Sequence, residues 1–321
     1  MVRAAALLTG SFVIGALTSS PVGASTVPDP ADGGPIVIEH RFGETRLDKV
    51  PERIVTLDLQ WTDVLLSVGI EPVGFLANPY AGEGGIYPWE AEMLDDATPI
   101  EATSGLPMEQ IAALDPDLIL VGFEAAEQEQ YDQLAAIAPT VGLLGELQVD
   151  DWQTQLDVVA EVTGRSEEAP AVLEHVEGLV TDAVAGLPGL DGRTYALVNY
   201  VEGDGLFYVV ADPDDGSSQL FYDLGLEIDP DLLGIEPGSF GRIELSFENV
   251  AMLEADMLVV FAQTGDPADV PGWDALPAVQ SGAVVSLDFA AVSGLNQPTP
   301  LSIPYSLDLI TPTLELASAE D

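Results

Sequence analysis

Cysteine is absent from all 321 residues of this sequence. Without a thiol, the chain has no cysteine nucleophile, no thiolate zinc site, no disulfide and no cysteine that carries a lipid. Histidine is almost as scarce, with only His40 and His175. We expect both to be packing or surface residues. The sequence therefore predicts no metal site and no cofactor, because imidazole and thiolate ligands for a transition metal are lacking.

Basic residues are few, with 8 Lys and Arg against 55 Asp and Glu, a formal net charge of −47. Nucleic acid is excluded as a partner, because binding to phosphates depends on Lys and Arg that displace counterions. An anionic membrane surface is disfavoured for the same reason. The acidic residues are spread along the chain and not clustered, which favours an acidic, salt-adapted surface.

Long apolar runs are also missing after the N-terminus. Residues 1–24 combine Arg3, an apolar stretch and the small residues Val22-Gly-Ala24, which is typical of a secretory signal peptide. Residues 25–34 are rich in Pro, Asp and Gly and predict a flexible leader. We therefore expect an exported protein, periplasmic or extracellular, whose mature chain does not insert into the membrane. Since no cysteine is present, we expect it not to be a lipoprotein.

The sequence contains an internal repeat. Residues 108–122 align with residues 247–261, and the residues that the two segments share include Glu109/Glu248, Ala112/Ala251, Leu114/Leu253 and Asp117/Asp256. Residues 131–137 align in the same way with residues 273–279, and residues 53–58 with residues 193–198. Matches in the same order predict two lobes of one design.

Each copy has the pattern of an α/β lobe. Short apolar runs at 54–58 and 118–121 are typical of strands that are buried on both faces, and they alternate with helical spacing at 61–68 and 108–114. This alternation predicts mainly parallel sheets. Residues 151–187 predict a connecting helix with a break near 164–170. We expect an N-terminal lobe at 35–150, a C-terminal lobe at 188–321 and a ligand cleft between them.

Several blocks resemble a known family. They are Val50-Pro-Glu-Arg-Ile-Val-Thr-Leu-Asp58, residues 65–74, Leu114-Asp-Pro-Asp-Leu-Ile-Leu120, residues 134–140 and residues 273–284. Together they resemble the periplasmic binding proteins that deliver ferric siderophores, haem or vitamin B12 to ABC importers. The resemblance runs from about residue 36 to the end. It implies two α/β lobes joined by a single long helix, and a protein that is not an enzyme.

The resemblance also implies that one carboxylate in each lobe docks onto the permease. Glu109 and Glu248 match these positions, and each is expected in the first turn of a helix. Acidic residues also favour helix N-termini for electrostatic reasons alone, so both explanations stay open at this stage.

Ligand contacts are expected on the loops that follow the predicted strands, where aromatic and polar side chains suit a bulky chelate. The candidates are Gln60, Trp61, Asn78, Tyr80, Tyr87, Trp89, Phe123, Asn199, Tyr200, Phe240, Arg242 and Gln263. Arg242 is notable because basic residues are scarce; the sequence leaves open whether it contacts an anionic ligand or pairs with an acid.

The sequence therefore predicts a monomeric extracytoplasmic receptor that captures an iron(III)-siderophore and passes it to an ABC importer. A haem or corrinoid receptor of the same fold is an alternative. The net charge disfavours a strongly anionic chelate. An exported glycan hydrolase that uses paired carboxylates is the alternative of another class. Against an enzyme, the sequence contains no Gly-x-Ser-x-Gly, no His-Glu-x-x-His and no phosphate-binding loop.

Overall fold

The computed structural model describes residues 34–102, 105–238 and 242–319. The predicted signal peptide at 1–24 lies outside these residues, as do Phe240 and all of the predicted leader except Gly34. The strands are β1 (Ile36–His40), β2 (Gly43–Leu47), β3 (Ile54–Thr56), β4 (Gly74–Ala77), β5 (Thr98–Glu101), β6 (Leu118–Leu120), β7 (Thr140–Val141), β8 (Thr194–Val201), β9 (Leu206–Val210), β10 (Glu227–Ile228), β11 (Arg242–Ser246), β12 (Met257–Ala262) and β13 (Val284–Leu287).

The α-helices lie between and after these strands. They are α1 (Leu59–Ser67), α2 (Met108–Ala113), α3 (Gln128–Ala135), α4 (Trp152–Thr163), α5 (Ala169–Gly186), α6 (Gly216–Asp223), α7 (Pro230–Leu233), α8 (Pro277–Ser281), α9 (Phe289–Asn296) and α10 (Ser302–Ala317). Gly69 and Gly225 come directly after the C-cap residues of α1 and α6, with φ of +78° and +88°. Both are glycines because a left-handed residue after a helix favours a side chain without Cβ.

The first sheet has the strand order β5-β4-β3-β6-β7, and all its pairs are parallel. Strand β3 lies at its centre and is buried on both faces, which explains its continuous apolar sequence. The strand order reverses between β3 and β6. In open parallel sheets, this is the place where a crevice forms at the carboxyl ends of the strands.

The second sheet has the order β11-β9-β8-β12-β13, with β10 added alongside β8. Strands β10, β12 and β13 continue the parallel pattern, whereas β9 runs antiparallel to both β8 and β11. The β8–β9 hairpin turns through Glu202-Gly-Asp-Gly205, where Gly205 has φ of +67°. The prediction of an α/β fold with mainly parallel sheets is confirmed.

The repeated segments of the sequence lie at equivalent places in the two sheets. Asp117, beside β6, accepts hydrogen bonds from the backbone N–H groups of Glu52 and Arg53, and Asp256, beside β12, accepts one from that of Thr194. Ile54 pairs with Leu118 in the first sheet, and Tyr195 pairs with Met257 in the second. The aspartates of the repeat therefore anchor the start of each central strand.

The segment between the sheets consists of two helices. Helix α4 ends at Gly164, which has φ of +70°, and α5 begins at Ala169. This interruption lies within the break that the sequence predicts near 164–170. Helix α4 packs on α1 of the first lobe, and α5 contacts both α4 and α10. The segment that joins the two sheets therefore consists of α4 followed by α5. The lobe boundaries at 150 and 188 remain a prediction.

Candidate functional site

A cavity of about 1000 Å³ lies between the two sheets. Its first wall contains residues at or after the carboxyl ends of β3, β4, β5 and β6, and its second wall contains residues of β8, β9, β11 and β12 together with α9. The polar lining residues are Asp58, Asn78, Tyr80, Tyr87, Glu124, Gln148, Asn199, Asp204, Tyr208, Arg242, Glu244, Ser293, Asn296 and Gln297. The crevice at the strand ends of the first sheet and the facing wall of the second sheet thus form one site that is large enough for a bulky organic ligand.

Five of the candidates from the sequence line this cavity: Asn78, Tyr80, Tyr87, Asn199 and Arg242. Asn78 follows β4, and its side-chain amide donates to the hydroxyl of Tyr87 over 3.1 Å while its oxygen accepts the backbone N–H of Tyr80 over 3.0 Å. Tyr80 is 65% exposed and its ring lies 5.3 Å from that of Phe289 on α9. This group forms an aromatic rim that reaches from one wall to the other.

Six other candidates do not belong to the lining, and Phe240 lies outside the described residues. Trp61 and Tyr200 are fully packed in the core, where Tyr200 stacks on Phe247 with 5.0 Å between ring centroids. Gln60 is buried and donates to the backbone oxygens of Asp150 and Pro298. The remaining three are Trp89, which stacks behind Tyr87 at 5.0 Å, Phe123, which is partly buried beside Glu124, and Gln263, which is exposed after β12.

Sequence reasoning missed the carboxylates of the cavity and the contribution of α9. Asp58 and Glu124 follow the adjacent strands β3 and β6, and this position after a strand is the signal by which the sequence could have identified them. In a chain with 55 acidic residues, however, no single carboxylate stands out by type. Phe289 also follows a strand, two residues after the end of β13, whereas Asn296 and Gln297 lie at the far end of α9, where no strand-end rule selects them.

Arg242 is paired within the protein. Its guanidinium lies 3.2 Å from the carboxylate of Asp215 and donates to the hydroxyl of Ser217 over 2.9 Å. Asp215 is itself buried and begins α6 by accepting the backbone N–H of Ser217. The structure therefore answers the question that the sequence left open, because the charge of Arg242 is compensated by an acid.

Asp58 and Glu124 form a buried acidic pair in the first wall. Asp58 begins α1 by accepting the backbone N–H of Trp61 over 2.8 Å, and its carboxylate packs against Gly122, where any Cβ would collide with it. Burial, then the neighbouring charge of Glu124, raise the pKa of Asp58 well above its usual range. Burial also raises the pKa of Glu124 to about 7. These carboxyls retain protons more readily than exposed ones.

A second buried acidic pair lies behind the aromatic rim. Asp63 on α1 accepts hydrogen bonds from the indole N–H of Trp89 and the hydroxyl of Thr299, which precedes α10. Glu90 accepts the backbone N–H of Tyr87 over 2.8 Å. Burial raises the pKa of Glu90 to about 7, and burial followed by the charge of Glu90 raises that of Asp63. This cluster joins the first wall to the C-terminal segment.

The proposed docking residues are exposed in both lobes. Glu109 lies in the first turn of α2. Glu248 lies in the first turn of a 3₁₀ helix, Phe247–Met252, that takes the place of α2 in the second copy. Neither side chain contributes to the cavity, so both are accessible to another protein.

The two histidines do not form a metal site with other residues. His40 is buried, and its Nε2 lies 3.0 Å from the hydroxyl of Thr45, whereas His175 is exposed on α5. Within the described ranges, no group of three or more His, Asp or Glu is arranged to hold a metal ion. No helix in this part of the chain is both long and apolar enough to cross a bilayer.

Comparison with known proteins identifies the family. The family model described as "Periplasmic binding protein" matches residues 54–291 of the chain. The chain belongs to this family. Members are substrate-binding proteins, so the protein is a binding protein and not an enzyme, and the glycan hydrolase hypothesis is set aside.

Relatives of this periplasmic binding protein match it over most of their length. "Probable siderophore-binding lipoprotein YfiY" of Bacillus subtilis is 27% identical over 270 residues, which cover 78% of this chain and 79% of the relative. YhfQ of the same organism, which is named as an ABC transporter substrate-binding lipoprotein, is 26% identical over 274 residues that cover 80% and 82%. The crystal structure of PiaA from Streptococcus pneumoniae TIGR4 in complex with ferrichrome has a TM-score of 0.77 and 26% identity, covering 88% of this chain and 98% of PiaA.

These relatives correct one prediction from the sequence. We expected the protein not to be a lipoprotein, but YfiY and YhfQ are both named as lipoproteins, which points the other way. The expectation was based on the missing cysteine, which bears only on lipid attachment to a thiol within these 321 residues. It is not a sufficient ground to exclude a lipoprotein.

Proposed function

We propose that this periplasmic binding protein captures an iron(III)-siderophore outside the cytoplasm and delivers it to an ABC importer. The observation that carries the proposal is the cavity of about 1000 Å³ between the two sheets, in a chain of this family. YfiY is named for siderophore binding, and PiaA holds ferrichrome in a similar fold. The protein performs no chemistry on its ligand. It encloses the ligand between its walls and presents it to the permease.

Titration of the purified protein with ferric chelates tests the binding step. Trp89 stacks on Tyr87 of the cavity wall, so ligand binding should change tryptophan fluorescence. A Trp89→Phe variant should lose most of that optical signal while keeping the thermal stabilisation by ligand. Iron-free chelators serve as the control. Saturable binding of haem or a corrinoid, with no response to any ferric chelate, would contradict the siderophore proposal and identify the protein as a haem or corrinoid receptor.

We further propose that Glu109 and Glu248 dock onto basic side chains of the permease. Both are exposed, occupy equivalent positions in the two copies and lie away from the cavity. Charge-assisted pairs at two separate points fix orientation as well as affinity. Membrane insertion of the mature chain is not required, and the receptor acts as a monomer in this proposal.

Charge reversal tests the docking role. The double variant Glu109→Lys/Glu248→Lys should bind ligand normally but reduce uptake roughly tenfold or more, because each reversed contact becomes repulsive. The control is Glu129→Lys/Glu174→Lys, which changes the net charge equally at exposed positions on α3 and α5. Equal uptake by both double variants would remove the docking proposal.

We also propose that residues 1–24 direct export and that the acidic surface is adapted to salt. The support is the charge pattern of the sequence: 55 acidic residues against 8 basic ones, and a short apolar run after Arg3. N-terminal sequencing of the exported protein tests the first statement, and a mature chain that still begins at Met1 would contradict it. The salt dependence of stability tests the second and is treated in the Discussion.

A further inference from the structure

The cavity is lined by more negative than positive side chains. Four carboxyl groups face it, two from each wall: Asp58 and Glu124 on the first, Asp204 and Glu244 on the second. Among the described residues, Arg242 is its one basic lining residue. Negative charge on both walls creates a potential that attracts cations and repels anions inside a low-dielectric cleft.

Arg242 does not offset this charge. Its guanidinium is occupied by Asp215 at 3.2 Å and by the hydroxyl of Ser217, and it is buried with them. Because Asp215 and Arg242 compensate each other, Arg242 leaves no positive charge to balance the four carboxyl groups of the lining, each of which adds negative charge when it is ionised. An anionic ligand would have to displace a buried ion pair in order to gain a basic partner.

Two acceptor atoms in the cavity lack a donor. Oε2 of Glu124 and Oε1 of Gln148 are buried, and neither has a hydrogen-bond partner within the described part of the chain. Buried acceptors without a donor are costly, which makes them suited to donors that arrive with a ligand. Both residues belong to the lining. For the ionised form of Glu124, the partner that its Oε2 lacks is a hydrogen-bond donor, and the neighbouring Asp58 favours a donor that is positively charged.

We infer that the cavity selects ferric chelates that carry a positively charged amine, which Glu124 and Asp58 receive on the first wall. The inference rests on the proposed function and narrows its ligand class. The iron centre itself is cargo that its chelator encloses. A cationic group supplies both the N–H donors that Glu124 lacks and the charge that the lining favours.

Proton linkage supports this inference. Burial raises the pKa of Glu124 to about 7, and burial together with the charge of Glu124 raises that of Asp58. Asp150 is the other charged group that acts on Asp58, and Arg242 lies with Asp215 on the second wall. A bound cation favours the ionised carboxylates, so binding releases protons. Affinity for a cationic chelate should therefore rise as the pH increases through about 7.

A charge series with one iron centre tests the inference. Ferric desferrioxamine B is a linear trihydroxamate complex with a free ammonium group; N-acetylation makes the same complex neutral, and N-succinylation makes it anionic. We expect the affinity to fall roughly tenfold from the cationic to the neutral complex and further to the anionic one. Calorimetry in two buffers of different ionisation enthalpy should show proton release only for the cationic complex.

Two variants separate the cavity from the overall charge of the protein. Glu124→Gln removes a carboxylate whose Oε2 bonds no other protein group, so the fold should be retained. It should reduce the preference for the cationic over the neutral complex about tenfold. Glu129→Gln removes the same charge from an exposed site on α3 and should leave that preference unchanged.

The possible results differ for the inference and for the proposed function. Equal or tighter binding of the neutral or anionic complex, or binding of ferric citrate alone, would overturn the charge inference and leave the receptor function intact. Equal effects of Glu124→Gln and Glu129→Gln would also overturn it. Absence of binding to any ferric chelate, at low and at high salt, would overturn the proposed function and the inference together.

Discussion

At the scale of single residues, Arg242 illustrates how a scarce charge is used. It is buried with Asp215, and the pair has hydrogen bonds to Ser217 and to the start of α6. Removing one partner of a buried ion pair leaves the other uncompensated, which costs more than the pair contributes. Arg165 and Glu168 form a comparable pair at 2.7 Å on the surface, where solvent screens the interaction.

We predict that Arg242→Leu lowers the free energy of unfolding by about 3 kcal/mol, because Asp215 is left buried without a counterion. Arg165→Leu should lower the free energy of unfolding much less, since solvent screens its exposed partner Glu168. Denaturant titration measures both. Adding Asp215→Asn to Arg242→Leu should restore much of the loss. Equal losses for the buried and the exposed arginine would contradict the role assigned to Arg242.

At the scale of elements, one cluster connects segments that are far apart in the chain. Asp63 on α1 is bonded to Thr299 before α10 and to Trp89 in the loop after β4. Trp89 also lies close to Gly294 on α9, where a Cβ would come within 2.9 Å of the indole ring. The hydrogen bonds described above for Asp63 and Glu90 come from an indole, a hydroxyl and a backbone N–H, and none comes from a basic side chain. Without a counterion, burial of these two carboxyl groups is tolerated only where a proton is retained.

Stability should accordingly fall as the pH rises through the range set by Glu90. Its pKa is raised to about 7 in the folded protein, so the folded state binds a proton more tightly than the unfolded state. This contribution is fully present below the usual pKa of a glutamate and is lost as the pH passes about 7. The maximum slope for one proton is about 1.4 kcal/mol per pH unit. Glu124 contributes in the same direction.

Glu90→Gln should reduce this pH dependence, because an amide does not titrate. The measurement is the free energy of unfolding at several values between about pH 5 and pH 7.5. Glu92→Gln, in the same loop but exposed, is the matched control and should retain the wild-type slope. If the Glu90 variant has the same slope as the control, this carboxyl does not titrate with a raised pKa.

At the scale of the whole molecule, charge repulsion dominates the electrostatics. The formal net charge is −47, and most of the acids have no basic partner because the chain has only 8 Lys and Arg. Like charges at this density destabilise the folded state, and salt weakens the repulsion by shortening the Debye length. A protein of this charge is therefore expected to gain stability in salt.

We predict that the melting temperature rises by several degrees between about 0.1 M and 2 M KCl, with most of the gain below about 1 M, where screening changes most. Differential scanning calorimetry measures this change. Sucrose at matched osmolality is the control, since it does not screen charge. A melting temperature that stays constant or falls over this range would contradict the proposed salt adaptation.

Much of the architecture is predictable from the sequence because its causes are local. The apolar runs at 54–58 and 118–121 favour buried strands wherever they lie, and Gly69 and Gly225 mark helix ends by their backbone freedom. The repeat predicts that Asp117 and Asp256 play equivalent roles, and both anchor a central strand. The antiparallel β9 was not predicted, since its pairing depends on a hairpin turn that the repeat does not contain.

The sequence by itself determined the duplicated α/β design, the family and the strong negative charge, since periodicity, repeats and composition are properties of the chain. Only the tertiary structure decided which side chains face the cavity. Trp61 and Tyr200 follow or end strands much as Asn78 does, yet they pack into the core while Asn78 lines the site. The direction of a side chain depends on elements distant in sequence, and so does the pairing of Arg242 with Asp215. The charge of the cavity, and with it the ligand class that we infer, is for that reason a property of the fold.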